Sequence, residues 1–164
     1  MVGQRFLEPF IGVRVPIPQQ KGILSCMNIF EEIEKLDLPK NEFVVLGSGI
    51  LAALGIRKAD DIDLLVQPEL FEKLKGNDWY YEVIEIEGKP RDMLSKGITQ
   101  IFKDFWWEDK TLSPDEGIAR AQNINGINFI SLQTLLEYKK DMKREKDLRD
   151  VILIEAYLRA HPEM

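Results

Sequence analysis

A glycine-serine turn followed by a short acidic strand constrains this chain more than any other feature. The apolar run Phe43–Leu46 predicts a buried strand, and Gly47-Ser48-Gly49 after it predicts a turn that opens a short helix. Asp61-Ile62-Asp63-Leu64 then predicts the start of a second strand. Because side chains at i and i+2 point to the same face of a strand, Asp61 and Asp63 should project together.

These two elements combine two kinds of ligand-binding group. Paired carboxylates form a hard-oxygen site suited to Mg²⁺. The backbone N–H groups of a Gly-Ser turn at a helix N-terminus favour an anion such as phosphate. A bare Asp-Ile-Asp or Gly-Ser-Gly is more often a plain strand end or turn, so the prediction rests on their combination. Together they indicate a site for a nucleoside triphosphate with its Mg²⁺.

Composition narrows the class of protein. A chain of 164 residues is most simply one domain with a core of its own. Its net charge of −6 argues against a nucleic-acid polymer as substrate. The single cysteine, Cys26, cannot form an internal disulfide and fits a reducing cytoplasm. No apolar stretch is long enough to span a bilayer. The only histidine, His161, lies near the C-terminus, which disfavours histidine-based nucleophilic chemistry.

The pattern along the chain predicts a mixed α and β domain. Residues 1–24, punctuated by proline and glycine, are expected to form an N-terminal extension such as a flexible tail, with a strand at 10–15 at most. Residues 25–164 are expected to form one domain. Strands are expected at 43–46, 62–66, 79–86, 98–105 and 124–130. Helices are expected at 25–36 with Ser25 as a cap, after Gly47, at 68–74, at 112–121 with Ser113 as a cap ahead of Asp115 and Glu116, and, as one long helix, at about 132–158. Several strands follow one another without a helix between them, which favours an α+β fold.

The same residues resemble the nucleotidyltransferase superfamily, in particular its minimal members, which include antibiotic-nucleotidyltransferase-like and antitoxin-like proteins. The signature of that superfamily is a Gly-Ser turn followed by Asp-hydrophobic-Asp-hydrophobic, and Gly47-Ser48 with residues 61–64 match it. The similarity covers roughly residues 27–158. It implies a nucleotidyltransferase-like mixed β-sheet flanked by helices, with a C-terminal helical segment.

The resemblance implies a Mg²⁺-dependent nucleotidyltransferase. Such an enzyme would transfer a nucleoside monophosphate, with AMP from ATP as the expected group, to a hydroxyl acceptor. Asp61 and Asp63 would hold Mg²⁺, and a second ion would bridge the attacking and leaving oxygens. A third carboxylate is expected on a later strand. Gln100 falls at the position where the superfamily carries that acid. Asp104 is therefore the candidate for the third carboxylate, on condition that its strand is shifted by two residues.

Other residues are expected to bind the phosphates. Gly47, Ser48 and Gly49 would hold the terminal phosphates. Lys140 and Arg144, one turn apart on a continuous helix, would clamp the triphosphate, although most charges between 139 and 150 are expected to form a solvated helix face. Two roles are open for Trp106 and Trp107, which are stacking on a ligand and packing at the edge of the core.

Gln100 also motivates a second interpretation. A relative that has lost its third carboxylate would bind a nucleotide or a protein partner without catalysis, as antitoxin-like members do. A protein partner or a homodimer is compatible with either interpretation, and a membrane partner with neither. The sequence leaves the acceptor and the base preference open.

Overall fold

A computed structural model describes residues 28–164 of the chain. The predicted extension at 1–24, its strand at 10–15 and the cap at Ser25 lie outside those residues. In the part described, no helix combines the length and the apolar character needed to cross a membrane.

Helices and strands alternate irregularly along the chain. The helices are α1 (Ile29–Glu34), α2 (Gly49–Ala53), α3 (Pro68–Leu74), α4 (Pro114–Ala119), α5 (Leu132–Met142) and α6 (Glu145–Ala160). The strands are β1 (Phe43–Leu46), β2 (Ile62–Val66), β3 (Tyr80–Ile86), β4 (Lys89–Lys96), β5 (Thr99–Phe102), β6 (Phe105–Trp107), β7 (Lys110–Leu112), β8 (Gln122–Ile124) and β9 (Ile127–Phe129).

Seven of the strands form one mixed sheet in the order β3-β4-β5-β2-β1-β9-β8, and β6 and β7 form a separate hairpin. At the centre, β2 runs antiparallel to β1 and parallel to β5. β1 also pairs in parallel with β9. The predicted α+β class is therefore confirmed, because parallel and antiparallel pairs share one sheet.

Helices cover both faces of this sheet. Gly49 of α2 lies so close to β1 that an added Cβ would come within 2.5 Å of Val45 Cγ1. Gly117 of α4 approaches Val44 Cγ1 in the same way, at 2.8 Å. Val44 and Val45 are consecutive on β1 and must point to opposite faces, so α2 and α4 lie on opposite sides. All four residues of β1 are buried, as expected of a central strand.

Several predicted elements are confirmed, and some boundaries are wrong. The helix expected at 112–121 is α4, and Ser113 with Glu116 forms the predicted capping box. The single bent strand expected at 124–130 is instead the hairpin β8–β9. Its turn residues Asn125 and Gly126 have φ of 51° and 81°, as a tight turn between antiparallel strands requires. The strand expected at 98–105 ends at Phe102, and β4, β6 and β7 were not predicted.

The prediction of one long C-terminal helix is wrong. Helix α5 ends at Met142, and Lys143 takes the left-handed conformation with φ of 52°. Arg144 then becomes the N-cap of α6, and its N–H donates to Asp147 Oδ2 at 3.2 Å. The carboxylate of Asp147 thus starts a new helix at the position where the old one stops, and α5 packs against α6 as a helical hairpin.

Candidate functional site

The glycine turn and the acidic strand meet at one end of the sheet. Asp63 of β2 pairs with Leu46, the last residue of β1, and Gly47 follows directly. Gly47 has φ of +59°, and a Cβ added to it would lie 3.3 Å from Asp63 Oδ2. The turn therefore needs glycine for its backbone conformation, and the missing side chain leaves room beside the carboxylate. The structure brings these two predicted site residues together.

Asp61 directly precedes β2, which begins at Ile62. Ile62 is 1% exposed and points into the core, so Asp63 points to the opposite face of the strand. The projection of Asp61 beside Asp63 stays a prediction, because Asp61 lies in a bend before the strand. Ser48 is the N-cap of α2, and its side chain makes no capping hydrogen bond. Glycine at position 49 is required by the packing of α2 on the sheet, because a side chain there would collide with Val45.

Gln100, not Asp104, is the neighbour of the acidic pair. In the parallel ladder between β2 and β5, Asp63 is level with Gln100. Asp104 lies beyond the end of β5 at Phe102, so the strand does not align it with Asp63. The two-residue shift that would have made Asp104 the third carboxylate is absent. Accordingly, no group of three or more His, Cys, Asp or Glu side chains within residues 28–164 is placed to hold a metal ion.

Asp104 belongs to a different cluster. Its Oδ1 lies 3.8 Å from Nε of Arg91, whose side chain is 4% exposed. Arg91 stacks over the ring of Trp106 at 3.8 Å and donates to the Trp106 carbonyl at 3.0 Å. Burial raises the pKa of Asp104, and the charge of Arg91 opposes that rise. Trp107 is buried and its Nε1 donates to Asp141 at 2.9 Å. Trp107 therefore packs in the core. The ring of Trp106 stacks against the Arg91 guanidinium.

The two predicted phosphate clamps do not lie on one helix face. Lys140 is on α5, and its Nζ pairs with Glu155 of α6 at 2.6 Å. Arg144 lies beyond the break at Lys143. Lys140 and Arg144 are therefore not one turn apart on a continuous helix, as was predicted. Arg144 instead contacts Asp147 and donates to the hydroxyl of Tyr138 at 3.3 Å. The predicted alignment of Lys140 with Arg144 on one helix is therefore wrong, and each is paired within the helical hairpin.

A chain of ion pairs, which was not predicted, connects the loop before β2 to the helical hairpin. We call it the ion-pair network. Arg57 binds both oxygens of Asp150, at 2.6 and 2.7 Å. Asp150 also contacts Lys139 at 2.7 Å, and Lys139 contacts Asp147 at 3.2 Å. Asp147 in turn binds Arg144. Lys139, Asp147 and Asp150 are each at least 95% buried.

One sequence signal pointed to this network. Asp147, Asp150 and Ile154 recur at i, i+3 and i+7 and form the buried face of α6. Two aspartates at positions where an amphipathic helix normally carries apolar residues need buried cations as partners. Lys139 and Arg57 are those partners.

The electrostatics keep the network ionised. Burial alone would raise the pKa of Asp150 and of Asp147, but hydrogen bonds and charges of Arg57, Lys139 and Arg144 lower both. The pKa of Arg57 is raised, first by its hydrogen bond to Asp150, with smaller contributions from the charges of Asp60 and Asp61. Arg57 therefore joins the acidic strand to the network.

Tyr138 of α5 is affected by the charge of Asp63. Burial raises the pKa of Tyr138, and the negative charge of Asp63 makes a smaller contribution to the rise. Its ring packs against Phe105 and Trp107, with centroids 5.4 and 5.5 Å away. Arg144 donates to the Tyr138 hydroxyl, so Tyr138 lies between the ion-pair network and the aromatic cluster.

Comparison of the chain with models of protein families, with curated proteins and with solved structures found no match.

Removal of Asp150 should test whether the ion-pair network stabilises the fold. Asp150→Ala leaves Arg57 and Lys139 without their shared carboxylate, and we expect a loss of about 3–5 kcal/mol in the free energy of unfolding. Urea denaturation measures it. The control is Glu34→Ala, which breaks the exposed Lys40–Glu34 pair and should cost about 1 kcal/mol or less. Equal losses in the two variants would show that the network contributes nothing special.

Proposed function

We propose that the chain is a Mg²⁺-dependent nucleotidyltransferase that transfers a nucleoside monophosphate, AMP from ATP, to a hydroxyl acceptor. The observation that carries the proposal is the convergence of Gly47 on the carboxylate of Asp63, with Asp61 two residues before Asp63 in the chain. The resemblance to the superfamily signature rests on these same residues. A nucleotidyltransferase-like version of the mixed sheet is part of the proposal.

The donor set suits a Mg²⁺–triphosphate complex. Mg²⁺ in proteins is commonly held by one or two carboxylates together with phosphate oxygens and water. Asp61 and Asp63 supply two carboxylates, and Gln100 next to Asp63 adds a neutral amide oxygen. When bound, the ion would polarise the phosphoryl group under attack. A second ion has fewer charged ligands here than a site with three acids would offer.

The remaining residues would position the phosphates. The backbone N–H groups of Gly47 and Ser48 would donate to phosphate oxygens, and the absent side chain of Gly47 lets them approach Asp63. Arg144, which is 44% exposed, would reach the triphosphate from the start of α6. In the reaction the acceptor oxygen bonds to the α-phosphorus, pyrophosphate leaves, and the acceptor proton passes to a base.

The acidic pair can be tested directly. Asp61→Asn with Asp63→Asn removes both charges while keeping the shape of the side chains, so pyrophosphate release from ATP in the presence of Mg²⁺ and an acceptor panel should fall at least a hundredfold, about 2.7 kcal/mol. The thermal unfolding midpoint should not fall. Asp60→Asn is the control, because it makes the same change at the adjacent residue, which is not one of the predicted metal ligands. Unchanged turnover in the double variant would remove the metal site from the proposal.

Gly47 offers a second test with a matched partner. Gly47→Ala and Gly126→Ala both place a side chain at positive φ, at +59° and +81°, and each should lose about 1–2 kcal/mol of stability. Only at Gly47 does the new Cβ meet Asp63, whereas nothing lies within 4 Å at Gly126. Calorimetric titration with Mg²⁺ and a non-hydrolysable ATP analogue should therefore show weaker binding for Gly47→Ala alone. Equal binding by both variants would contradict a phosphate role for the turn.

A second candidate function is nucleotide binding without transfer. Gln100 favours it, because it lies level with Asp63 where the superfamily carries its third carboxylate, and an amide neither carries charge nor accepts a proton at neutral pH. A protein of this kind would use the bound nucleotide, or the surface around it, to engage a protein partner as antitoxin-like relatives do.

Gln100→Glu separates the two candidates. If the amide limits catalysis, the added carboxylate should raise Mg²⁺-dependent transfer at least tenfold, and a wild type that binds ATP without turnover should become active. Gln122→Glu on β8, at the edge of the sheet, adds the same charge far from the site and should change nothing. Transfer by the wild type that Gln100→Glu does not improve would show that two carboxylates suffice.

A further inference from the structure

Helix α6 carries apolar side chains on the face that points away from the protein. Ile152 is 67% exposed, Leu148 52% and Leu153 38%. Ala156 continues the line that Leu148 and Ile152 begin at four-residue spacing, and it is exposed as well. The opposite face holds Asp147, Asp150 and Ile154 in the interior. An unburied apolar stripe of this kind commonly marks an interface.

Charges at the two ends of the stripe determine what can cover it. Glu145, Ile152 and Arg159 are seven residues apart and lie along nearly one line of the helix. Glu145 is in the first turn and Arg159 in the last, about 21 Å apart at 1.5 Å per residue. At the N-terminal end of the stripe, Glu145 lies 3.8 Å from Arg149, in an exposed pair of little net strength that leaves the carboxylate open to a second cation. The stripe therefore has an apolar centre, an accessible carboxylate at one end and a guanidinium at the other.

This pattern complements itself in one orientation only. Two copies of α6 packed antiparallel about Ile152 would place each Glu145 opposite an Arg159 and each Ile152 opposite its equivalent. A parallel arrangement would place Glu145 opposite Glu145 and Arg159 opposite Arg159, which is repulsive. Antiparallel packing of identical helices is also what a two-fold symmetric dimer provides.

We propose that α6 is a homodimer interface, in which the stripe of one chain packs antiparallel against the stripe of a second copy. Ile152 contacts Ile152 of the partner subunit, flanked by Leu148 and Ala156, and Glu145 pairs with Arg159 of the partner subunit at both ends. The interface uses the face of α6 opposite the ion-pair network, so dimerisation leaves the acidic pair open. It does not depend on the proposed nucleotide chemistry.

The contact area makes the dimer weak. One helix of this length on each side buries less than the roughly 800 Å² per partner of a standard interface. We therefore expect a reversible monomer–dimer equilibrium that depends on protein concentration. Because each end contributes an ion pair at the rim of the contact, association should also weaken as the salt concentration rises.

Charge reversal tests both the surface and the orientation. Sedimentation velocity of the full chain over a range of concentrations gives the dissociation constant. Glu145→Arg and Arg159→Glu, made singly, bring like charges together at two symmetric positions, and each should weaken dimerisation about tenfold or more. The variant with both reversals restores opposite charges and should regain dimerisation. Single reversals that weaken the dimer without recovery in the combined variant would overturn the antiparallel arrangement.

A second pair of variants tests the apolar centre. Ile152→Lys should abolish the dimer, whereas Val83→Lys, at a 48% exposed site on the edge strand β3, should not. Thermal unfolding confirms that each variant is folded, as expected for changes at exposed positions. A chain that is monomeric at every concentration, or a dimer that survives Ile152→Lys and is lost with Val83→Lys, would overturn the proposal.

Discussion

The structure depends on keeping a set of buried charges paired. Lys139, Asp147 and Asp150 are almost fully removed from water, and an unpaired charge in that position would cost several kcal/mol. Arg57 supplies the missing cation from the loop before β2, and Arg144 completes the set from the break between α5 and α6. These pairs fix the helical hairpin against the loop before β2, because Arg57 and Lys139 share Asp150.

The same pairing explains the break at Lys143. A straight helix would carry residue 144 and everything after it away from the sheet, and Asp147 and Asp150 could not both reach Lys139. A left-handed residue at the break costs roughly 1 kcal/mol when it is not glycine. Two further interactions offset this cost, namely the N-terminal capping of α6 by Asp147 and the contacts of Asp147 and Asp150 with Lys139. The hairpin thus results from charge pairing across the break.

Local patterns predicted what local physics determines. The strands β1 and β2, the turn at Gly47 and the helix start at Ser113 follow from periodicity and capping. Local patterns do not determine which distant segments pair. The position of Gln100 beside Asp63 depends on the register of a parallel ladder, and the same register excludes the shift that Asp104 required. Likewise, Lys139 is buried because the chain turns at Lys143 and brings Asp147 and Asp150 back to it, and the charged stretch alone did not predict that turn.

The residue beside Asp63 decides how much charge the site can hold. Three carboxylates on adjacent strands would repel one another without bound cations, and at least one would bind a proton more tightly. With Gln100, the same three positions carry two negative charges and a neutral amide, so they repel one another less. In the proposed nucleotidyltransferase, the attraction for a second Mg²⁺ would be weaker for the same reason. A single amide in place of a carboxylate would therefore favour binding of one Mg²⁺–nucleotide over two-ion catalysis.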